Sequence, residues 1–388
     1  MPTVCHHLRS MRILFLAWKN ECHPLAGGSE VLVDRLASGL HERGHHVTLL
    51  CAGPTGDHAY QVLDAGTRLL QYLRDPFVVR RHFGDVDVIV DVANGMAFYS
   101  PLWSSTPVVA LVNHVHTGMW QEWFPRPVAW AGSTLEMKVM PRVYRGSLVV
   151  AVSESTSSAL EGLGVPAANI RVVHNGVDVP STLAPRCEQP LFVGLGRLVP
   201  HKRFDLMLRA WARVRPATGG RLVIAGAGPL REQLERGAPP GTDFVGHISD
   251  AEKLDLLASA WVLVQPSRLE GWGLVVMEAA ACATPTIGFH VPGTRDSVVD
   301  GTSGFLVDDE DELVDRWMAL AFDAPLRAAL GEGARRRSEQ FSWFQTIDSF
   351  EEVLREAVPS VSGPAPPGAN ATSSRSGGRA RERHRSSR

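Results

Sequence analysis

Short apolar runs alternate with helix-type patterns along almost the whole chain. In the first half the runs are RILFLAW, HVTLLCA, DVIVDV, PVVALVN and SLVVAVS, and a helical pattern from about 29 to 43 follows the first of them. The second half repeats the alternation with PLFVGLGR, RLVIAGAG, TDFVGH, AWVLVQPS, TPTIGF and GFLV. Strands that alternate with helices pair in parallel, because each helix crosses back over the sheet. The sequence therefore predicts an α/β protein with parallel sheets.

The length and one irregular segment divide this pattern into two domains. A chain of 388 residues exceeds one ordinary hydrophobic core and suits two doubly wound domains with a cleft between them. The segment 174–190 (HNGVDVPSTLAPRCEQP) has no periodic pattern and is typical of a linker. We predict a first domain over 11–180, a linker over 181–190, a second domain over 191–340 and a further helix over 341–358.

The two ends of the chain differ from the rest in composition. Residues 1–10 have no pattern and are expected to form a leader without regular structure. From 359 to 388 apolar side chains are almost absent, and six arginines stand against one glutamate after Asn370. Such a segment cannot bury enough surface to offset the entropy of ordering it, so a basic disordered tail is predicted.

Composition excludes several classes of protein. A formal net charge of −2 gives no electrostatic reason to expect nucleic acid as a partner. The five cysteines are scattered without a C-x-x-C pair, which favours reduced thiols and predicts a cytoplasmic location. No apolar run approaches the roughly 20 residues that span a bilayer. The basic, amphipathic segment 68–83 leaves two interpretations open, an ordinary helix face or a surface that rests on an anionic membrane.

The stretch 270–278 (EGWGLVVME) lies where a strand passes into a helix. Backbone N–H groups at the helix start, from about Gly273 onward, carry the positive end of the helix dipole and suit hydroxyl or phosphate oxygens. Glycine at Gly271 and Gly273 allows a ligand to approach the backbone closely. Glu270 can accept hydrogen bonds from vicinal hydroxyls, although a solvated loop acid would read the same way.

The second acid of this stretch, Glu278, lies two helical turns further on. It could be an acid that only the helix dipole favours. However, it lies within the apolar run VVMEAAACA, where an unpaired carboxylate would be costly. A polar group is therefore expected to meet it.

Two cations follow the first strand of the second domain. Arg197 and Lys202 in VGLGRLVPHKRFDLML can hold a diphosphate, the guanidinium as a planar fork and the ammonium as a point charge, or they can belong to a solvated basic loop. The G-x-G at 194–196 resembles the start of a dinucleotide fingerprint, but Val199 replaces the third glycine. Nicotinamide binding is therefore not expected.

Polar or glycine-rich segments also follow two strands of the first domain. Gly27 and Gly28 precede the first helix and either let the backbone approach a ligand or form a plain turn. Asn113, His114 and His116 follow the strand PVVALV, and no third metal ligand accompanies the two histidines. The D-x-D at 85–87 precedes its strand, at the end where ligands do not collect, so we interpret it as a loop.

Taken in order, these motifs resemble the retaining glycosyltransferase family four. The resemblance covers about 11–358, and its most specific signal is the E-x7-E pattern at 270–278. The supporting motifs keep the family's order: VSES at 152–155, VVHNGVD at 172–178, GRLVPHK at 196–202, AGAGP at 225–229 and GTSGFLV at 301–307. The family implies the GT-B architecture, in which two Rossmann-like domains face each other across an interdomain cleft.

The resemblance implies a role for each matching residue. Arg197 and Lys202 would hold the donor diphosphate, and Gly27 and Gly28 would approach its phosphates from the acceptor domain. Glu270 would bind hydroxyls of the transferred sugar, and Glu278 would accept from the ribose hydroxyls. The backbone N–H groups beside Glu270 belong to Gly271, Trp272, Gly273 and Leu274. The helix over 341–358 would cross back to the first domain.

The family normally places a histidine after the strand PVVALV, beside the reacting sugar carbon. By strand length Asn113 takes that place and His114 lies one step along, so both are candidates for a catalytic role together with Glu270. Family members generally work without a metal, because the two cations can neutralise the leaving diphosphate. No protein nucleophile is evident, so retention would fit a front-face mechanism.

The resemblance predicts a retaining transferase that moves a hexose from a nucleotide sugar to an unknown acceptor, with no cofactor and no metal. Two alternatives stay open. A catalytically silent nucleotide-sugar binding protein would bind donor without transfer or hydrolysis. A GT-B nucleotide-sugar epimerase would convert the donor without an acceptor.

Overall fold

The computed structural model describes residues 9–23, 26–66, 70–116 and 118–359, without the side chains of Leu70 and Leu73. Most of the predicted leader, the predicted tail beyond Pro359 and the first residues of the basic segment at 68–83 lie outside the described residues. All elements named below belong to one compact unit that ends at Val358.

The first sheet has seven parallel strands in the order β3-β2-β1-β4-β5-β6-β7. They are β1 (Arg12–Leu16), β2 (His46–Cys51), β3 (Gln61–Asp64), β4 (Val88–Ala93), β5 (Val108–Val112), β6 (Leu148–Ala151) and β7 (Ile170–Val172). Five of the seven coincide with predicted runs. The sequence did not indicate β3 and β7, since both are short edge strands and neither carries an apolar run.

The second sheet has six parallel strands in the order β10-β9-β8-β11-β12-β13. They are β8 (Leu191–Leu195), β9 (Arg221–Ala225), β10 (Thr242–Gly246), β11 (Val262–Gln265), β12 (Thr286–Phe289) and β13 (Gly304–Val307). All six were predicted. In both sheets the strand order reverses direction beside the first strand, which is where open parallel sheets bind ligands at the carboxyl ends of their strands. The predicted α/β class with two Rossmann-like domains is confirmed.

Helices flank both sheets. In the first domain they are α1 (Gly28–Glu42), α2 (Leu70–His82), α3 (Trp120–Trp123), α4 (Arg126–Thr134), α5 (Met140–Val143) and α6 (Glu154–Gly162), with a π-helical turn at Leu135–Val139. The others are α7 (Phe204–Thr218), α8 (Arg231–Arg236), α9 (Asp250–Ser259), α10 (Leu274–Ala281), α11 (Thr294–Ser297), α12 (Glu310–Phe322), α13 (Ala324–Ser338) and α14 (Trp343–Ala357). No helix among the described residues is long and apolar enough to cross a membrane.

The last helix, α14, packs on the first domain although the chain reaches it from the second. Its Phe350 ring stacks on Phe15 of β1 with ring centroids 6.2 Å apart. Arg43, just after α1, donates to Glu351 of α14 at 2.8 Å. The four cysteines in the described part of the chain are free thiols.

Candidate active site

The loop after β11 brings Glu270 to two donors. Lys202 Nζ donates to Glu270 Oε1 at 2.5 Å, and Gln265 Nε2 donates to the same oxygen at 2.7 Å. The Glu270 side chain is only 11% exposed. Burial would raise the pKa of Glu270, but the Lys202 ammonium outweighs it and holds the pKa below its usual value. Glu270 is therefore an ionised acceptor and not a solvated loop acid.

Arg197 belongs to the second domain and contacts the start of α1 in the first domain. A Cβ added at Gly27 would lie 3.5 Å from Arg197 Nε, so the guanidinium rests against the start of α1. Arg197 is exposed, and no carboxylate of the described chain forms an ion pair with it. A guanidinium that forms no ion pair and lies beside a helix N-terminus offers a positive charge and several hydrogen-bond donors. Both features suit the binding of an anion.

The start of α1 is closer to the second domain than a plain turn would require. A Cβ at Gly28 would lie 3.0 Å from Leu274 Cδ1, so Gly28 and Leu274 meet across the cleft. One of the free N–H groups is already used, because Gly27 N donates to Glu30 Oε2 at 2.7 Å. Glu30 also pairs with Lys19 at 3.5 Å. The glutamate three residues after the cap was the available signal for this bond, and the sequence analysis missed it.

The residue before Trp272 has no room for a side chain, which explains why it is glycine. A Cβ at Gly271 would lie 2.5 Å from the carbonyl oxygen of Asn113 and 3.4 Å from Val152 Cγ2. Asn113 is buried, and its carbonyl oxygen also accepts from Thr156 Oγ1 at 3.0 Å. The loop after β11 and the loop after β5 therefore touch backbone to backbone, and any side chain at Gly271 would hold the two domains apart.

Trp272 anchors this loop in the first domain. Its side chain is buried within the apolar core cluster that includes β1 and α1. The ring centroid lies 4.5 Å from that of His174 and 4.9 Å from that of Phe341. The sequence analysis considered only the backbone of Trp272 and missed this packing. After it, Gly273 turns the chain into α10 with a left-handed φ of 83° that favours glycine.

Glu278 meets a lysine from another helix. Lys253 of α9 donates to Glu278 Oε1 at 2.7 Å and also pairs with Asp250 at 2.8 Å. Burial raises the pKa of Glu278, and Lys253 offsets part of that rise. The Glu278 side chain keeps 25% exposure, so one oxygen remains available to a ligand. Lys253 is the polar group that the apolar surroundings of Glu278 required, but no sequence motif indicated it.

His114 lies among the cations of the cleft. Burial lowers its pKa well below the usual value, and the positive charges of Lys202 and Arg197 lower it further. The imidazole is therefore neutral at neutral pH. Asn113, the other candidate for this position, is also buried, and its carbonyl oxygen meets the loop after β11. Which of His114 and Asn113 lies beside the sugar stays a prediction.

His116 contacts a carboxylate of its own domain. Its Nδ1 lies 3.0 Å from Glu136 Oε1, and its ring lies 4.2 Å from that of His114. Among the described residues, the group close enough to share an ion is Glu21, Asp34 and His58, which lies outside the predicted site.

The D-x-D at 85–87 precedes β4 and lies at the amino ends of the strands of the first sheet. Asp87 Oδ2 accepts from Arg12 N at 2.8 Å, and Asp85 pairs with the Arg12 guanidinium at 3.0 Å. A surface cavity of about 530 Å³ opens there, lined by Arg9, Ser10, Arg12, His46, Asp85 and Asp87. None of the predicted donor residues lines it. We place the candidate site in the cleft, where the cations and the helix N-termini converge.

Known proteins resemble the chain in sequence. The sequence profile described as "Glycosyltransferase Family 4" matches residues 26–180, and the profile described as "Glycosyl transferases group 1" matches residues 181–337. A D-inositol 3-phosphate glycosyltransferase of Saccharomonospora viridis is 34% identical over 187 residues, which are 44% of this chain and 43% of that protein. The chain thus matches less than half of that relative's length.

Solved structures share the fold. HepE from Anabaena, solved with UDP and glucose, superposes with a TM-score of 0.72 at 19% identity over 89% of this chain and 100% of its own. Sucrose-phosphate synthase from Thermosynechococcus elongatus gives 0.76 at 20% identity over 89% of this chain and 98% of its own. Because the two profiles adjoin and match residues 26–337 without a gap, the chain belongs to the group 1 glycosyltransferases of the GT-B type.

Proposed function

We propose that the protein is a retaining transferase that moves a hexose from a nucleotide diphosphate sugar to a hydroxyl of its acceptor, without a metal ion. The observation that carries this proposal is the unpaired Arg197 guanidinium against the start of α1. A diphosphate placed there would gain the guanidinium fork, the α1 dipole and the nearby Lys202 ammonium. UDP is the first nucleotide to test, because HepE was solved with UDP and glucose.

The two acids would read different parts of the donor. Glu270 would accept hydrogen bonds from hydroxyls of the sugar, and its hydrogen bond from Lys202 would weaken. The Lys202 ammonium would then be available to the diphosphate. Glu278, held by Lys253, would accept from the ribose hydroxyls with its exposed oxygen.

The chemistry would rest on charge neutralisation. As the bond between the anomeric carbon and the diphosphate breaks, negative charge develops on the departing oxygen, where Arg197 and Lys202 stabilise it. In a front-face mechanism that oxygen takes the proton of the attacking acceptor hydroxyl, so the sugar keeps its anomeric configuration. The neutral His114 imidazole would contribute hydrogen bonds beside the sugar without adding a charge.

The acceptor is the least constrained part of the proposal. A polyol phosphate is the first class to test, because relatives that match about half of this chain are named D-inositol 3-phosphate glycosyltransferases. The acceptor would approach the sugar beside the loop after β5, on the first-domain side of the contact between Gly271 and Asn113.

The test is a calorimetric titration with UDP, GDP and ADP and their common hexose conjugates, in the presence of EDTA. We expect one nucleotide to bind, and Lys202→Ala and Glu278→Ala to weaken that binding at least tenfold. Lys138→Ala, at an exposed lysine outside the cleft, is the matched control. If folded protein binds no nucleotide, or binds one only when a divalent ion replaces EDTA, the proposal fails in its donor or its metal-independent part.

The alternatives separate in the same samples. Incubation with the bound nucleotide sugar and no acceptor, followed by NMR, would show a stereoisomeric nucleotide sugar for an epimerase and slow hydrolysis for a transferase. Binding with neither reaction would favour the silent binding protein.

We also propose that the protein is cytoplasmic and that it contacts an anionic membrane. On α2, Phe77 is 73% exposed and lies between the exposed Arg74 and Arg81. An apolar side chain flanked by cations suits an anionic lipid surface. Replacing Arg74, Arg80 and Arg81 should reduce co-sedimentation with anionic liposomes, and unchanged co-sedimentation would remove the idea.

A further inference from the structure

Glu136 is a buried carboxylate that the proposed transfer chemistry does not yet use. It lies in the π-helical turn that continues α4, and its side chain is 5% exposed. Its Oε1 accepts from His116 N at 2.8 Å and contacts His116 Nδ1 at 3.0 Å, and its Oε2 accepts from Trp120 Nε1 at 2.6 Å. Groups from His116 and from Trp120 at the start of α3 therefore converge on one carboxylate, and π-helical turns occur frequently at functional sites.

Helix α4 is shaped to receive this loop. A Cβ at Gly132, one turn before Glu136, would lie 2.3 Å from the ring of Trp120, so only glycine leaves room for the indole against the helix. The indole N–H then reaches Glu136. Glu136 therefore holds both His116 and Trp120, and His116 follows the loop residue Asn113 that contacts Gly271.

The contact between Glu136 and His116 determines which nitrogen of the His116 ring can bind a ligand. A carboxylate only accepts hydrogen bonds, so the Nδ1 that faces Glu136 carries a hydrogen. A ring that carries its single hydrogen on Nδ1 offers Nε2 as an acceptor. The ring lies between His114, at 4.2 Å, and Gly95, whose added Cβ would be 3.3 Å from His116 Cε1. The His116 side chain keeps 17% exposure.

We propose that Glu136 is a positioning residue that fixes His116 with Nε2 as a hydrogen-bond acceptor for a hydroxyl of the sugar acceptor. This inference rests on the proposed transfer reaction, in which the reacting hydroxyl gives its proton to the departing diphosphate oxygen. Nε2 therefore receives a hydrogen bond from a second hydroxyl next to the reacting one. The class of acceptor is accordingly polyhydroxylated, and a monohydric alcohol lacks the group that His116 orients.

The first measurement needs no variant other than one for assignment. In protein labelled with ¹⁵N-histidine, long-range ¹⁵N–¹H spectra report the tautomer of each ring, and His116→Gln identifies the His116 signals. We expect His116 to carry its hydrogen on Nδ1. A ring that carries it on Nε2 would overturn the proposal, whatever the donor turns out to be.

The second measurement tests the positioning role. Glu136→Gln keeps the shape of the side chain but presents an amide, so the His116 tautomer should become mixed while UDP binding stays within twofold. A Glu136→Gln protein with an unchanged tautomer overturns the role of Glu136. If that variant instead loses UDP binding while Trp120→Phe keeps it, Glu136 serves the donor site and the proposal is also wrong.

The third measurement tests the ligand class with defined probes. With UDP present, glycerol should shift the His116 Nε2 resonance and propan-1-ol at the same concentration should not. No shift with glycerol, or equal shifts with both alcohols, overturns the assignment to a polyol. If UDP does not bind at all, the proposed function fails in the calorimetric titration, and the tautomer result still decides the arrangement of Glu136 and His116.

Discussion

Gly271→Ala tests whether the two domains meet at the donor loop when nucleotide binds. The added Cβ would lie 2.5 Å from the Asn113 carbonyl oxygen and 3.2 Å from its carbon. A carbon and a carbonyl oxygen approach to about 3.3–3.6 Å in proteins, so the two loops must separate by roughly 1 Å. Gly271 has an ordinary backbone conformation, since it does not occur among the residues with positive φ. The substitution therefore adds a clash without adding backbone strain.

The expected size of the effect follows from this clash. Overpacking by one methyl group typically costs about 1–3 kcal/mol, which corresponds to roughly a 5- to 150-fold change in an equilibrium constant. The clash lies between the loop after β5 and the loop after β11, so the strands of neither sheet have to move. We expect the Kd for UDP to rise by that factor while the unfolding midpoint changes little.

The assay is calorimetry with UDP on wild type, Gly271→Ala and Gly84→Ala. Gly84 is the matched control, because no atom lies within 4 Å of its added Cβ. UDP affinity that is unchanged in Gly271→Ala would refute the reasoning, since the donor would then bind without this backbone contact. A large loss of thermal stability with unchanged affinity would show instead that the contact serves only the fold.

Three further predictions concern a charge pair, a pH dependence and a core side chain. Lys253→Met removes the charge that offsets burial, so the pKa of Glu278 rises further and UDP affinity at pH 7 falls about tenfold, as measured by calorimetry between pH 6 and 8. Burial would raise the pKa of Glu351, but hydrogen bonds such as that from Arg43 lower it from 4.5 to about 2. This stabilisation is present above pH 4.5 and is lost as the pH falls toward 2, and Arg43→Met should weaken that loss in urea titrations. Trp272→Ala should cost about 3–5 kcal/mol in the free energy of unfolding, measured with urea.

Each of these predictions has a control at a matched position: a lysine for Lys253, an arginine for Arg43 and an exposed aromatic residue for Trp272. Lys138→Met changes an exposed lysine and should leave UDP affinity unchanged; an equal loss would mean that general charge and not Glu278 is responsible. Arg316→Met removes an arginine 3.7 Å from Glu312 and should keep the wild-type pH dependence. Phe344→Ala, at a side chain that is 71% exposed, should cost well under the Trp272 value, and equal costs would contradict the anchoring role.

The strands that sequence predicted and those that it missed differ in burial. All residues of β4 and β5 are buried, and all but Asp91 are apolar, so both runs can be recognised in the sequence. The edge strands β3 and β7 keep partly exposed residues and are only four and three residues long. Their pairing depends on a neighbouring strand that offers a free edge, which is a property of the assembled sheet.

The candidate site divides in the same way. That Lys202 and Glu270 lie close together could be expected, because both belong to segments that follow strands and the carboxyl ends of parallel strands meet at one edge of the sheet. The partner of Glu278 could not, since Lys253 comes from a different helix and only the packing of α9 against α10 brings it there. Glu136 gave no signal either, because a π-helical turn moves it to a position that helical periodicity does not indicate.

The position of Trp272 limits how hybrid enzymes can be built from the two domains of different family members. The chain passes from one domain to the other near residue 180, where the two sequence profiles adjoin. However, the Trp272 ring from the second half lies in the core of the first, against His174 and Phe341. A hybrid that joined the first half of this protein to the second half of a relative at residue 180 would separate these partners. A workable hybrid therefore has to carry Trp272, Phe341 and α14 together with the first domain, even though they belong to the other half of the gene.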